Sequence, residues 1–102
     1  MRGAPGLRSQ LLRAVASIAA NIAEGSGKRS EVEFVRYLEI ALASAREAEN
    51  HILLARDTGA LDAGVANALL RDAEEVGRIL FGLQRAVSRR VDDGCDRSRG
   101  GV

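Results

Sequence analysis

Three places in this 102-residue sequence carry reactive side chains in suggestive company. The stretch Gly25-Ser26-Gly27-Lys28-Arg29-Ser30 sets glycines beside basic residues, the mixture that phosphate-binding loops use. His51 follows Glu47 by one helical turn, within reach of a shared metal ion, and Cys95 supplies a lone thiol.

None of the three completes a catalytic set. A nucleotide-binding loop needs glycine, four residues and then Gly-Lys-Ser/Thr, placed between a strand and a helix so that backbone N–H groups surround the phosphates. Ile22 stands where the first glycine is required, and Arg29 follows Lys28 without a hydroxyl for magnesium. What precedes the loop is a helical pattern. The stretch therefore reads as a helix terminator at Gly25, a flexible basic turn and a helix N-cap at Ser30. His51 is the only histidine, so a bundle-type metal site built from paired Glu and His ligands has no second half, and a surface ion pair with Glu47 is expected. Glu31, Glu33, Glu39, Glu47 and Glu49 alternate with Arg36, Arg46 and Arg56 as a solvated helix face does. Cys95 has no base or helix N-terminus beside it to activate the thiol. No catalytic, metal or cofactor-binding residue is expected, and no small-molecule substrate.

The elements that would position these residues are helices. Ala and Leu dominate, the aromatics are Phe34, Phe81 and Tyr37, and Pro5 is the single proline, a composition that disfavours strands. The expected fold class is all-α, an antiparallel up-and-down bundle in one domain spanning 1–91. The first helix is expected over about 7–24, closed by Gly25 in the left-handed conformation. Ser30 with Glu33 forms a capping box for a second helix over 31–57, ended by Gly59. Asp62 caps a third over 63–91, and residues 92–102 lack periodicity and apolar content, as a disordered tail would. Arg2, Arg8 and Arg13 with no acid before Glu24 imitate an organelle-targeting segment, but Arg13 and Asn21 interrupt the apolar run that a secretory signal needs. With one cysteine and no membrane-length apolar stretch, a cytoplasmic protein is expected.

Each helix has a legible packing face. In the second, Phe34, Leu38, Ala41, Ala45, Ala48, Ile52 and Ala55 alternate spacings of four and three, the seam of closely wound helices. In the third, Val65, Leu69, Val76, Leu80, Leu83 and Val87 form a stripe in which Gly77 and Gly82 each cost about 1 kcal/mol of helix propensity unless close contact offsets it. The first carries three faces: Leu7, Leu11, Val15, Ile18 and Ile22; Leu12, Ala16, Ala19, Ala20 and Ala23; and a polar strip including Arg13, Ser17, Asn21 and Glu24. Two apolar faces ask for two neighbours, so this helix is expected inside the bundle, or inside the bundle and against another subunit. The polar strip is expected to form a hydrogen-bond network between helices.

Charge is unevenly placed although the formal net is +1. Arg2, Arg8, Arg13, Lys28 and Arg29 face a single acid, Glu24, within the first thirty residues. Arg8, Arg13, Lys28 and Arg29, with Arg89 and Arg90 near the end of the third helix, are the candidate nucleic-acid contacts, binding phosphates with counterion release. A purely protein-binding homo-oligomeric scaffold is the alternative.

The segments Gln10–Gly25 (QLLRAVASIAANIAEG), Ser30 with Glu33–Phe34, and Tyr37–Glu49 (YLEIALASAREAE) resemble bacterial four-helix-bundle proteins encoded within intervening sequences of large-subunit (23S) ribosomal RNA genes. These are relatives of the accessory variability protein of diversity-generating retroelements. The resemblance, from about Gly6 to Val87, implies a bundle assembled as a ring, typically a pentamer, with no enzymatic activity. In the retroelement relatives it implies binding to a reverse transcriptase and to RNA or DNA. It also implies a further amphipathic helix ahead of Pro5-Gly6-Leu7, which would lie before this sequence begins.

Overall fold

Runs of Ala, Leu and charged residues, punctuated at Ser30, Gly59 and Asp62, give three helices in the computed structural model, which describes residues 5–100, with side-chain surroundings for residues 6–94. They are α1 (Pro5–Ser26), α2 (Glu31–Asp57) and α3 (Ala63–Gly100). The all-α, up-down-up bundle is as expected, and the described residues include no strand.

The helix ends follow local chemistry. Ser30 caps α2, its hydroxyl accepting from the Glu33 N–H at 3.4 Å. The α2 carbonyls are closed by Thr58, whose hydroxyl donates to the Leu54 carbonyl at 2.8 Å, and by Gly59 at φ 77°, the left-handed position that glycine takes without strain. Asp62 caps α3 by accepting from Gly64 and Val65 N–H groups at 3.0 and 3.2 Å.

The seam on α2 organises the molecule. Leu38, Ala41, Ala45, Ala48, Ile52 and Ala55 are all buried, with Phe34 half-buried, as their spacing predicts. Leu38, Ala41 and Ala45 form one core with Leu80 and Val87 of α3, and Ile18 and Ile22 of α1 pack against it. Near its C-terminal end α1 comes so close to Phe34 and Tyr37 of α2 that Gly25 is itself buried. Both α1 and α3 lie along α2, and they make no close backbone contact with each other. The result is a long, thin body of 62 × 20 × 14 Å.

Four expectations are corrected here. First, α1 lies at an edge, and the enclosed helix is α2: Leu12 and Val15 are 56% and 52% exposed, because α2's small-residue seam already accommodates both neighbours. Second, Gly25 is not left-handed; α1 continues through Ser26, and Gly25 serves contact, since a Cβ there would stand 2.6 Å from the Tyr37 Cβ and 2.9 Å from the Phe34 ring. Third, α3 runs to Gly100 instead of ending at Val91, so the expected disordered tail is helical there; a helix satisfies its own backbone hydrogen bonds without a packing face. Residues 101 and 102 of that tail lie outside the described residues. Fourth, on α3 only Leu80 and Val87 of the expected stripe are buried, while Val65, Leu69, Val76 and Leu83 are exposed, Leu69 and Val76 because the α1 side of α3 is left uncovered.

Candidate functional site

Among the exposed apolar residues, Leu12, Val15, Leu69 and Val76 converge. Because α1 and α3 flank α2 without close backbone contact, a groove of about 470 Å³ opens between them. Leu11, Val15, Ala19 and Ile22 form one wall, Leu69, Ala73 and Val76 the other, and Ala45, Ala48 and Ile52 the floor. Asp72 is the one charged residue among those lining it. Sequence periodicity marked nearly all of these residues as apolar faces; that two faces share one opening depends on which helices touch, which periodicity does not encode.

The polar strip of α1 is divided among different partners. Ser17 and Ser44 share a hydrogen bond at 2.8 Å between α1 and α2, and the Asn21 amide donates to the Ser17 carbonyl at 2.8 Å and hydroxyl at 3.1 Å. Of the strip, Ser17 bonds across to α2 through Ser44, whereas both Asn21 bonds stay within α1. Glu24 pairs instead with Lys28 at 3.1 Å, and Arg13 is exposed and outside the ion pairs of the described residues. Ser44 is the member that sequence reading missed; a serine interrupting the run of alanines on α2 was the available signal.

The candidate phosphate contacts separate into two groups. Arg8 and Arg13 lie on the first half of α1, whereas Lys28, Arg29, Arg89 and Arg90 gather at the opposite end, where the α1–α2 turn meets α3. Within that end Arg90 pairs with Glu31 at 3.1 Å, and the Lys28 ammonium sits 5.6 Å from the Tyr37 ring centre. The hydrogen bond that the Lys28 ammonium donates to Glu24, then the electrostatic effect of Tyr37, raises the Lys28 pKa above the ordinary lysine value. Arg8, Arg29 and Arg89 are exposed and, like Arg13, outside the described ion pairs. The lysine of the glycine-rich turn thus faces a glutamate and follows a helix, not a strand.

His51 bonds Glu47 at 3.2 Å as an exposed one-turn pair. Among the described residues no group of three His, Cys, Asp or Glu side chains is placed to hold a metal ion. Nor is any described helix long and apolar enough to cross a membrane.

These features define an all-α, up-down-up helical bundle with one apolar side left open. The chain belongs to the 23S rRNA-intervening sequence protein family, whose profile matches residues 3–82. It is similar to a crystal structure of a protein of unknown function from the S23 ribosomal protein family of Bacteroides thetaiotaomicron. The two are 29% identical and superpose with a TM-score of 0.74 over 76% of this chain and 72% of that one. No curated protein matches the chain.

Proposed function

We propose that this protein is a non-enzymatic, self-assembling helical scaffold that works by contact. The observation that carries the reading is the open groove: apolar walls from two helices and an apolar floor from the third form a continuous surface of the kind that marks protein interaction sites. In the full chain, light scattering at micromolar concentration is expected to give more than the single-chain mass of 10.8 kDa. Leu69→Glu, which puts a carboxylate into the groove at a half-exposed position, returns the mass to one chain with helical content unchanged. A wild-type chain that stays single across that range overturns the reading.

A second reading, accessory binding of RNA or DNA in a nucleoprotein, is favoured by the exposed arginines Arg8, Arg13, Arg29 and Arg89 that no described ion pair engages. Binding to a labelled RNA duplex is expected to weaken steeply between about 50 and 200 mM salt. Replacing Arg29 and Arg89 by alanine lowers the log–log salt slope by about 2. No binding at the lower salt concentration rules this reading out. The ring pentamer and the reverse-transcriptase partner implied by the family resemblance fit either reading.

A further inference from the structure

We infer that a second copy of this chain docks on the side of α2 opposite the groove, head to tail, with the α2–α3 crevice of one copy receiving the α1–α2 edge of the next. This goes beyond the scaffold reading, whose contact is the groove, and uses none of the residues that line it.

The receiving surface is a crevice of about 310 Å³ between Arg46 and Glu49 of α2 and Glu74, Gly77, Arg78 and Phe81 of α3. Gly77 opens it, although a Cβ at that position would meet Glu49 at an ordinary 3.7 Å, so packing within the chain does not require the glycine and its cost of about 1 kcal/mol goes unrepaid there. Phe81 stays 47% exposed even with the Arg85 guanidinium 5.8 Å from its ring centre.

The entering surface flanks the 2.8 Å bond between Ser17 and Ser44. Arg13 and Ala20 share the Ser17 side of α1 at helical spacing, and Ile40 and Glu47 share the Ser44 side of α2. All four are exposed, Ile40 at 48%.

Height and charge match between the two surfaces. The Ser17–Ser44 bond sets Arg13 level with Ala48 and Ala20 level with Ala41, and the Gln84–Glu39 bond sets Phe81 level with Leu42 and Glu74 level with Glu49. Copies related by rotation about an axis parallel to the helices keep these heights. Phe81 then meets Ile40 and Ala20, Arg46 meets Glu47, and Glu49 and Glu74 meet Arg13. Arg13, Arg46, Glu49 and Glu74 belong to no ion pair among the described residues, so the contact supplies each with an opposite charge. Glu47 offers the carboxylate oxygen that His51 leaves free.

A crevice paired with a crevice, or an edge with an edge, covers one apolar patch and leaves the other open; head-to-tail docking covers both. Because the contact keeps height, successive copies do not rise along the axis, and surfaces that face different ways around α2 close the series into a ring instead of a filament. A footprint about 20 Å long and 15 Å wide on each copy buries about 600 Å² in total, the size of a weak contact, and a closed ring gives every copy two.

The test uses the full chain carrying Cys95→Ser and Leu69→Glu, which silences the groove, at about 1 mM to suit a contact of this strength. A mixture of Phe81→Cys and Ile40→Cys chains is expected to form a mixed disulfide with diamide at least about tenfold faster than either variant cross-links by itself. Arg13→Glu and Glu74→Arg each weaken association by about tenfold, and the chain carrying both regains it. A mixture that cross-links no faster than its separate components, or a double exchange that regains nothing, overturns the arrangement and leaves the scaffold reading intact. A wild-type chain that is single at micromolar concentration removes the scaffold reading, while the mixed disulfide in the groove-silenced chain still upholds this one.

Discussion

Gly25→Ala is expected to lower the melting temperature by roughly 8–16 °C, although alanine is the better helix former. The added methyl would sit 2.6 Å from the Tyr37 Cβ and 2.9 Å from the Phe34 ring. The nearer atom is fixed to the α2 backbone and cannot swing aside, so the helices must separate. Overpacking of this kind costs about 3 kcal/mol, against a propensity gain of about 1 kcal/mol. The net loss of about 2 kcal/mol, at about 4–8 °C per kcal/mol for a domain of this size, gives the stated shift. Gly82→Ala supplies the comparison, because nothing lies within 4 Å of a Cβ built there. It should raise the melting temperature by a few degrees. Thermal denaturation followed by circular dichroism reads both signs, and an unchanged or raised value for Gly25→Ala would mean that α1 does not approach α2 this closely.

Leu38→Ala is expected to have the larger effect on equilibrium stability. Leu38 is fully buried at the meeting point of all three helices, beside Ala41, Ala45, Leu80 and Val87, with Ile18 and Ile22 packed against the cluster. Its neighbours on α2 are already small, so they offer little side chain to fill the space. A loss of about 3–4 kcal/mol follows, a large part of what holds a chain of this length together. Urea denaturation should show a lower midpoint with nearly the same slope. A loss below about 1 kcal/mol would place the core elsewhere.

What the sequence made legible was whatever depends on one helix at a time. The α2 seam from Leu38 to Ala55 could be read because burial on a single face follows the helical repeat, and the caps at Ser30 and Asp62 because they are set by neighbours a few residues apart. The placement of α1 could not be read, since two apolar sides fit a central helix of one chain and an edge helix of an assembly equally well. Gly25 was misassigned because a glycine serving backbone freedom and one serving close approach look alike until the opposing Tyr37 is known. The six candidate phosphate contacts were visible as charges, but their division was not: Lys28 with Glu24 could be guessed from spacing, whereas Arg90 with Glu31 depends on how far α3 slides along α2. The groove itself belongs to no segment.

Since α1 and α3 make no close backbone contact, what joins the two outer helices directly is the shared core, where Ile18 and Ile22 of α1 pack against the cluster that holds Leu80 and Val87 of α3. Detaching either one leaves the other its contacts with α2 but opens that shared core, so coupling between the outer helices of a lone chain runs through a few side chains. Filling the cleft adds contacts to both outer helices at once, so association would tighten their coupling beyond what the shared core supplies.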